Sequence, residues 1–395
     1  MKDPNHLHKV PTSCCVDIIK DGIDDIPMLK ILNDSGKLVS GVTMPDLSKE
    51  IALKILHTME FIRLLDERMI AAQRQGRISF YLACTGEEAA TTASAAALSS
   101  GDMIMSQYRE QAALAYRGYT TEQFMNQMFS NRLDPNKGRQ MPIHYGDKAL
   151  NFMTISSPLG TQIPQAAGYA YGQKMQGEEA LTICYFGEGA ASEGDFHAGL
   201  NMAAVLNCPV IFFCRNNGYA ISTPSSEQFK GDGIASRGIG YGIKTIRVDG
   251  NDALAVFVAT QKARQIALAE NCPVLIEAMT YRLAAHSTSD DPSGYRSKEE
   301  EAKWQDKDPI SRFKQWVIDQ GWFDESAHEA FITKNRQDIL AAVKTAEKVP
   351  VCNLDDMVND VYDKVPWHLE QQMNDLKTHL KKYPESYPNT AEDVK

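Results

Sequence analysis

The chain reads as an α/β protein: a mainly parallel sheet flanked by helices, with an extended N-terminal arm before it and a helical C-terminal region after it. Three observations carry that reading. The apolar runs at 181–186, 210–214 and 274–279 are short and show no polar alternation, as in strands buried on both faces. A helical stretch at 192–207 separates the first two, so strand, helix and strand follow in the order of a parallel crossover. Turns rich in glycine and asparagine close both strands, where open α/β sheets bind ligands.

Taken in order, residues 1–45 alternate short apolar pieces with Asp, Gly, Pro and Ser, the pattern of an arm rather than a domain. A helix is expected from Asp46, with Ile51, Ile55, Met59, Ile62 and Leu65 on its apolar face. An alanine-rich helix follows at 87–98. Residues 161–171 hold small side chains, Ala166, Ala167, Gly168 and Ala170, that permit close helix packing. In the crossover helix Ser192 is the expected cap, Phe196, Leu200, Ala203 and Ala204 supply the apolar face, and Pro209 is expected to end it. The polar stretch 281–297 holds many turn formers and no apolar periodicity, so it is expected to be a mobile loop. From Glu299 onward charge density rises and the pattern is helical, with Trp304, Phe313, Trp316 and Trp322 as anchors. The expected units are the arm at 1–45, the α/β domain at 46–325 and a helical region at 326–395.

Composition narrows the functions. With 395 residues, 43% hydrophobic and 23% charged, the chain can bury a sizeable core. A net charge of −10 with scattered Lys and Arg leaves no basic footprint for nucleic acid. No run approaches the ~18 apolar residues of a membrane span. The eight cysteines form no Cys-x-x-Cys, and only Cys14-Cys15 are adjacent, so neither a zinc site nor a disulfide framework is indicated. Cys184 and Cys214 fall in core strands, which fits a reducing compartment. The first arginine is Arg63, while Asp17, Asp21, Asp24 and Asp25 argue against a presequence. The expectation is a bacterial cytoplasmic protein, with a mature mitochondrial-matrix chain as the alternative.

The chemistry concentrates in Gly187-Glu188-Gly189-Ala190 and in Arg215-Asn216-Asn217-Gly218-Tyr219, about thirty residues later. Mg²⁺ takes few side-chain oxygens and leaves its other positions to water and phosphate. Glu188 offers a carboxylate and Asn217 an amide oxygen. The turn at Gly187, Gly189 and Ala190 lets backbone approach phosphates, and Arg215 can fork onto one. Other glycine motifs fit poorly. The third glycine of a dinucleotide fingerprint falls too late, at Gly194, a hydrolase elbow would need glycine where Ala190 stands, and no Gly-x-x-x-x-Gly-Lys run occurs.

This pair of turns resembles the thiamine diphosphate motif, with Glu188 where aspartate is commoner. From about Ala71 to Trp322 the chain resembles the alpha subunit of the decarboxylating component of 2-oxo acid dehydrogenase complexes, nearest to the branched-chain type. The residues that carry this are Ser79-Phe80-Tyr81, Gly86-Glu87-Glu88-Ala89, Ser106-Gln107-Tyr108-Arg109-Glu110, the run from Ser156 to Pro164, and His286-Ser287-Thr288-Ser289-Asp290-Asp291. The resemblance implies a thiamine-diphosphate-binding fold in which this chain supplies the diphosphate half. A beta subunit would supply the half that activates the aminopyrimidine, in a tetramer of two alpha and two beta chains.

The resemblance further implies Mg²⁺ on Glu188, Asn217 and the Tyr219 carbonyl, and the diphosphate on Arg109, Arg215 and His286. Gln107, Tyr108, Ser157 and Leu159 would line the cofactor, with Ser157 and His286 at the reacting centre. Ser156, Thr161, Gln162 and the Pro158 carbonyl would form a potassium loop, and Ser287 falls on a regulatory phosphorylation position. His286 is expected to bind phosphate and exchange a proton near neutral pH. Plainer alternatives stay open: Tyr108 as core, Ser157 as a turn residue, Leu159 as packing, Arg109 as an ion-pair partner of Glu110. His197 reads as structural. The implied activity is oxidative decarboxylation of a branched-chain 2-oxo acid, with the acyl group passed to the lipoyl domain of an acyltransferase. Pyruvate or acetoin dehydrogenase alpha subunits are the rivals within the class, and a non-catalytic phosphate-binding scaffold is the rival outside it.

Overall fold

The computed structural model describes residues 26–387. Most of the expected arm, with Cys14-Cys15, and the last eight residues lie outside that range.

Among the described residues eight strands occur: β1 Met28–Leu29, β2 Met103–Met105, β3 Thr182–Gly187, β4 Val210–Asn216, β5 Tyr219–Ala220, β6 Thr223–Pro224, β7 Lys244–Asp249 and β8 Val274–Met279. β5 and β6 form a small antiparallel ribbon; the others make one sheet in the order β1-β7-β8-β4-β3-β2, parallel throughout. Every residue of β4 is buried, because both faces of the sheet are covered. Alternate side chains enter different layers. Ile211 and Phe213 join Ile183, Tyr185 and Ile276 beneath helices Lys49–Arg74, Glu88–Ala96 and Ala253–Glu270. Val210, Phe212 and Cys214 join Cys184, Phe186 and Leu275 beneath helices Gln162–Gln176 and Gly194–Leu206.

The crossover helix departs from expectation at both ends. Ser192 closes a short 3-10 turn at Ala190–Ser192 and caps nothing; extended Glu193 precedes the helix, which starts at Gly194. It ends at Leu206, one residue short of the expected 207, and Asn207 rather than Pro209 stops it: Asn207 turns left-handed (φ 51°) and its N–H reaches back to Ala203 and Ala204. The close helix packing expected from 161–171 depends on a glycine of the opposing helix. A Cβ at Gly199 would sit 2.8 Å from Ile163 Cγ2. The first long helix starts at Lys49 instead of Asp46, capped by Ser48, whose hydroxyl accepts from Ile51 N–H.

At the N-terminal edge, Asp252 accepts hydrogen bonds from the buried backbone of Ile31 and Leu32 at 2.7 and 2.6 Å. Toward the C-terminus the helices are separate: Lys298–Gln305, Pro309–Asp319, Glu325–Ala346 and Trp367–Lys382. Phe313, Trp316, Ile339 and Val343 join the same core as Ile55 and Leu56. The 281–297 stretch, expected to be a mobile loop, carries hydrogen bonds of its own. Asp290 accepts from His286 N–H at 2.7 Å and from the Tyr295 hydroxyl at 2.6 Å, and Arg296 donates to the carbonyls of Arg282 and Ala284. Side-chain to backbone bonds of this kind substitute for an apolar face, which periodicity alone does not reveal. No described helix is long and apolar enough to cross a membrane.

Candidate active site

β3 and β4 lie side by side, with Gly187 opposite Arg215, so the two turns that close them meet at one end of the sheet. Every residue that the sequence assigned to the cofactor lines one cavity there, of about 460 Å³. Its walls also include Phe80, Ile143, His144, Ile221 and Arg282. That volume lies in the range of small-molecule sites.

On the acidic side, Glu188 is almost fully buried. Its Oε2 accepts from Asn217 N–H at 3.3 Å, and its Oε1 has no hydrogen-bond partner. Burial, reinforced by the nearby Glu87 carboxylate, pushes its pKa up to about 7. Asn217 donates from Nδ2 to Glu87 at 3.2 Å, and its Oδ1 accepts from Tyr219 N–H at 3.2 Å. A carboxylate oxygen without a partner and an amide oxygen with a spare lone pair, both from residues lining one cavity, suit a hard, oxygen-seeking cation. Among the described residues no group of three His, Cys, Asp or Glu side chains forms a metal cage, so a cation here would use a mixed oxygen set. The turn is tightly seated. A Cβ on Gly189 would come within 2.7 Å of the Ala220 Cβ, and Gly187 N–H donates to Gln107 Oε1 at 2.6 Å.

Opposite stand three arginines. Arg215 is buried between Glu110 (2.6 Å) and Glu87 (3.0 Å). Glu110 therefore belongs to Arg215, and the alternative of an Arg109–Glu110 pair is not realised. Arg109 instead donates to the Ala83 carbonyl and to both the carbonyl and Nδ1 of His286. Arg282, to which the sequence assigned no role, is buried and donates to the Ile221 carbonyl at 2.9 Å. It also lies 3.4 Å from His286 Nδ1. Arginines only donate, so Nδ1 is the accepting nitrogen and Nε2 carries the proton. Burial first, and then these two arginines, push the His286 pKa down to about 4. His286 is thus neutral at neutral pH in this state, against the expectation of proton exchange there, and an anion beside it would have to lift its pKa.

Ser157 is exposed to the cavity, and its hydroxyl lies 2.8 Å from His144 Nε2. His144 Nδ1 is 3.1 Å from the Pro142 carbonyl, which can only accept, so in the neutral imidazole Nε2 is the lone-pair acceptor and Ser157 donates to it. Sequence reasoning missed His144, as it missed a role for Glu87 within its quoted motif. Neither carries a local signal, since their partners are supplied by other segments. Tyr108 packs edge-on against His286, and Leu159 is 44% exposed at the cavity mouth. In the 156–162 loop Thr161 donates to the Pro158 carbonyl at 3.0 Å, which brings two of the four expected potassium ligands together. Gln162 is buried and its amide nitrogen goes to the Tyr185 carbonyl, while Ser156 is exposed. Ser287 accepts from Ser289 N–H, next to the His286 carbonyl held by Arg109. His197 lies outside the cavity, bonded to the Tyr241 hydroxyl at 2.7 Å.

Fold and cavity define an α/β enzyme whose site opens at the carboxyl ends of parallel strands. Residues 56–355 match the dehydrogenase E1 component family, and the chain belongs to it. It is 52% identical over 367 residues to the mitochondrial 2-oxoisovalerate dehydrogenase subunit alpha of Mus musculus, covering 93% of this chain and 83% of that one. The Homo sapiens protein of that name is likewise 52% identical, with 93% and 82% covered. Subunit alpha 1 of Arabidopsis thaliana is 50% identical, with 92% and 77% covered.

Proposed function

We propose that this chain is the alpha subunit of branched-chain 2-oxo acid dehydrogenase, which decarboxylates branched-chain 2-oxo acids oxidatively and passes the acyl group to a lipoyl group of an acyltransferase. One observation carries the reading: half of the residues are identical, over almost the whole chain, to proteins named as 2-oxoisovalerate dehydrogenase alpha subunits. Bound thiamine diphosphate supplies the electron sink that loss of CO₂ from a 2-oxo acid needs. Membership of the E1 family supports that cofactor. Glu188 and Asn217 side chains, with the Tyr219 carbonyl, would hold Mg²⁺; the partnerless Glu188 Oε1 supports this. Arg109, Arg215 and the Nε2–H of His286 would face the diphosphate. K⁺ would sit in the loop of Ser156, Pro158, Thr161 and Gln162.

The chain's own residues then have distinct tasks. Arg215, clamped by two carboxylates, presents a fixed positive charge that needs no reorganisation when an anion arrives. The His144–Ser157 pair keeps a hydroxyl oriented at the cavity wall and can take up its proton at Nε2. Phe80, Ile143 and Ile221 give the cavity an apolar wall that suits a branched aliphatic side chain. No second sheet of comparable size occurs among the described residues, so the half of the site that activates the aminopyrimidine would come from a beta subunit in a two-alpha, two-beta assembly. The lipoyl domain of the acyltransferase is the other partner. Phosphate on Ser287 would add about −1.5 to −2 charges next to His286 and act as an off-switch. The relatives are named as mitochondrial, which supports a mitochondrial location over the bacterial cytoplasm; the matrix is the compartment proposed.

The test is reconstitution with a beta partner. Decarboxylation of 2-oxoisovalerate should exceed that of pyruvate, and the chain alone should be inactive. Faster turnover of pyruvate would overturn the substrate class, and turnover by the isolated chain would overturn the half-site.

A further inference from the structure

Asn216 and Asn217 are both held in the same way. Asn216 donates from Nδ2 to the buried Glu277 at 2.8 Å and accepts Gly218 N–H on Oδ1 at 3.1 Å. Asn217 donates from Nδ2 to the buried Glu87 at 3.2 Å and accepts Tyr219 N–H on Oδ1 at 3.2 Å. The turn that follows needs Gly218 at φ +84°. A carboxylate demands a donor and a backbone N–H demands an acceptor, so only one orientation of each amide satisfies both neighbours. Asn217 would lose both bonds if it flipped. Glu87, together with the Tyr219 N–H, therefore decides which way round the Asn217 amide sits.

The same Glu87 oxygen also accepts from Arg215 Nη1 at 3.0 Å. Its other oxygen is buried without a partner. One carboxylate thus ties the asparagine on the acidic side of the cavity to the arginine on its basic side, although it is absent from the cavity wall.

We propose that Glu87 is a positioning residue of the metal corner: it fixes the Asn217 amide with its oxygen toward the cation and anchors Arg215 in the same step. This rests on the metal assignment above. Carboxylates that orient metal ligands are worth about 10–100-fold in metal affinity.

The test uses the alpha–beta assembly with thiamine diphosphate and measures free Mn²⁺ by electron paramagnetic resonance. Glu87→Ala should weaken Mn²⁺ about tenfold or more. Glu87→Gln keeps an accepting oxygen and should stay within about threefold. A second variant guards against loss of folding. Asn217→Asp sets two carboxylates against each other and should bind Mn²⁺ weakly, while adding Glu87→Gln restores a donor–acceptor pair with the roles exchanged and should recover much of the affinity. Unchanged affinity in Glu87→Ala, equal losses in Glu87→Ala and Glu87→Gln, or no recovery in the double variant would overturn the proposal. If the wild-type assembly takes up no Mn²⁺, the metal assignment itself fails and this inference falls with it; normal wild-type uptake with an unaffected Glu87→Ala sinks this inference alone.

Discussion

With Mg²⁺ held by Glu188, as proposed, metal binding depends on pH in a direction that follows from the burial of this carboxyl. Its pKa rises from the ordinary 4.5 to about 7 because ionisation would bury a charge close to the Glu87 carboxylate. The folded chain therefore holds this proton more tightly than the unfolded chain does. Below about pH 4.5 Glu188 has no effect on stability; the cost grows between 4.5 and 7 and is complete above 7, at about 3 kcal/mol from 1.36 kcal/mol per pKa unit. A cation must displace the proton, so apparent Mg²⁺ affinity follows the ionised fraction, about one tenth at pH 6 and nine tenths at pH 8. The expected change is close to tenfold. Calorimetric titration of Mg²⁺ into the alpha–beta assembly without cofactor at both pH values, in two buffers of different ionisation enthalpy, reads the affinity and the proton released. Glu188→Gln should abolish the proton release. Equal affinity at the two pH values with no proton released, or proton release that persists in Glu188→Gln, would refute the reasoning.

Two further outcomes follow from the same geometry. Arg215→Met leaves Glu87 and Glu110 buried without their cation and should lower stability by about 3–5 kcal/mol, read as a lower denaturation midpoint; an unchanged midpoint would contradict the clamp. Ser287→Glu places negative charge beside the His286–Arg109 contact and should strongly lower the activity of the assembled complex while leaving its melting temperature within a few degrees; full activity would remove the regulatory reading.

The three central strands β3, β4 and β8 were legible because burial on both faces makes each a short apolar run, and β8 falls at its expected residues, Val274–Met279; β7, with Lys244 and Arg247 and partly exposed, and the short β1 and β2 were not. The acidic and asparagine turns were legible as a pair because a single crossover helix separates adjacent strands, which fixes both their spacing and their meeting point. Boundaries failed where local turn geometry ruled. Ser192 reads as a cap, yet the glycine turn winds on through it, and Asn207 stops the helix before Pro209 can. Glu87, His144 and Arg282 gave no sequence signal because each gains its role from residues brought in by the fold, as when Glu87 meets Asn217 across 130 positions. His286 was read as a group near its ordinary pKa, and only the placement of Arg109 and Arg282 beside it shows why it lies well below. The hydrogen bonds that Asp290, Tyr295 and Arg296 make within 281–297 were not legible for a related reason, since side-chain to backbone contacts leave no periodic pattern.

The most direct test of the cavity at the ends of β3 and β4 is calorimetric titration of thiamine diphosphate into the alpha–beta assembly, with Mg²⁺ and again with the metal chelated, for wild type and for Asn217→Ala. Tight binding should require Mg²⁺ in the wild type and be lost in Asn217→Ala, with the fold intact by circular dichroism. Binding that is equally tight without metal, or unaffected by the loss of the Asn217 side chain, would contradict the account.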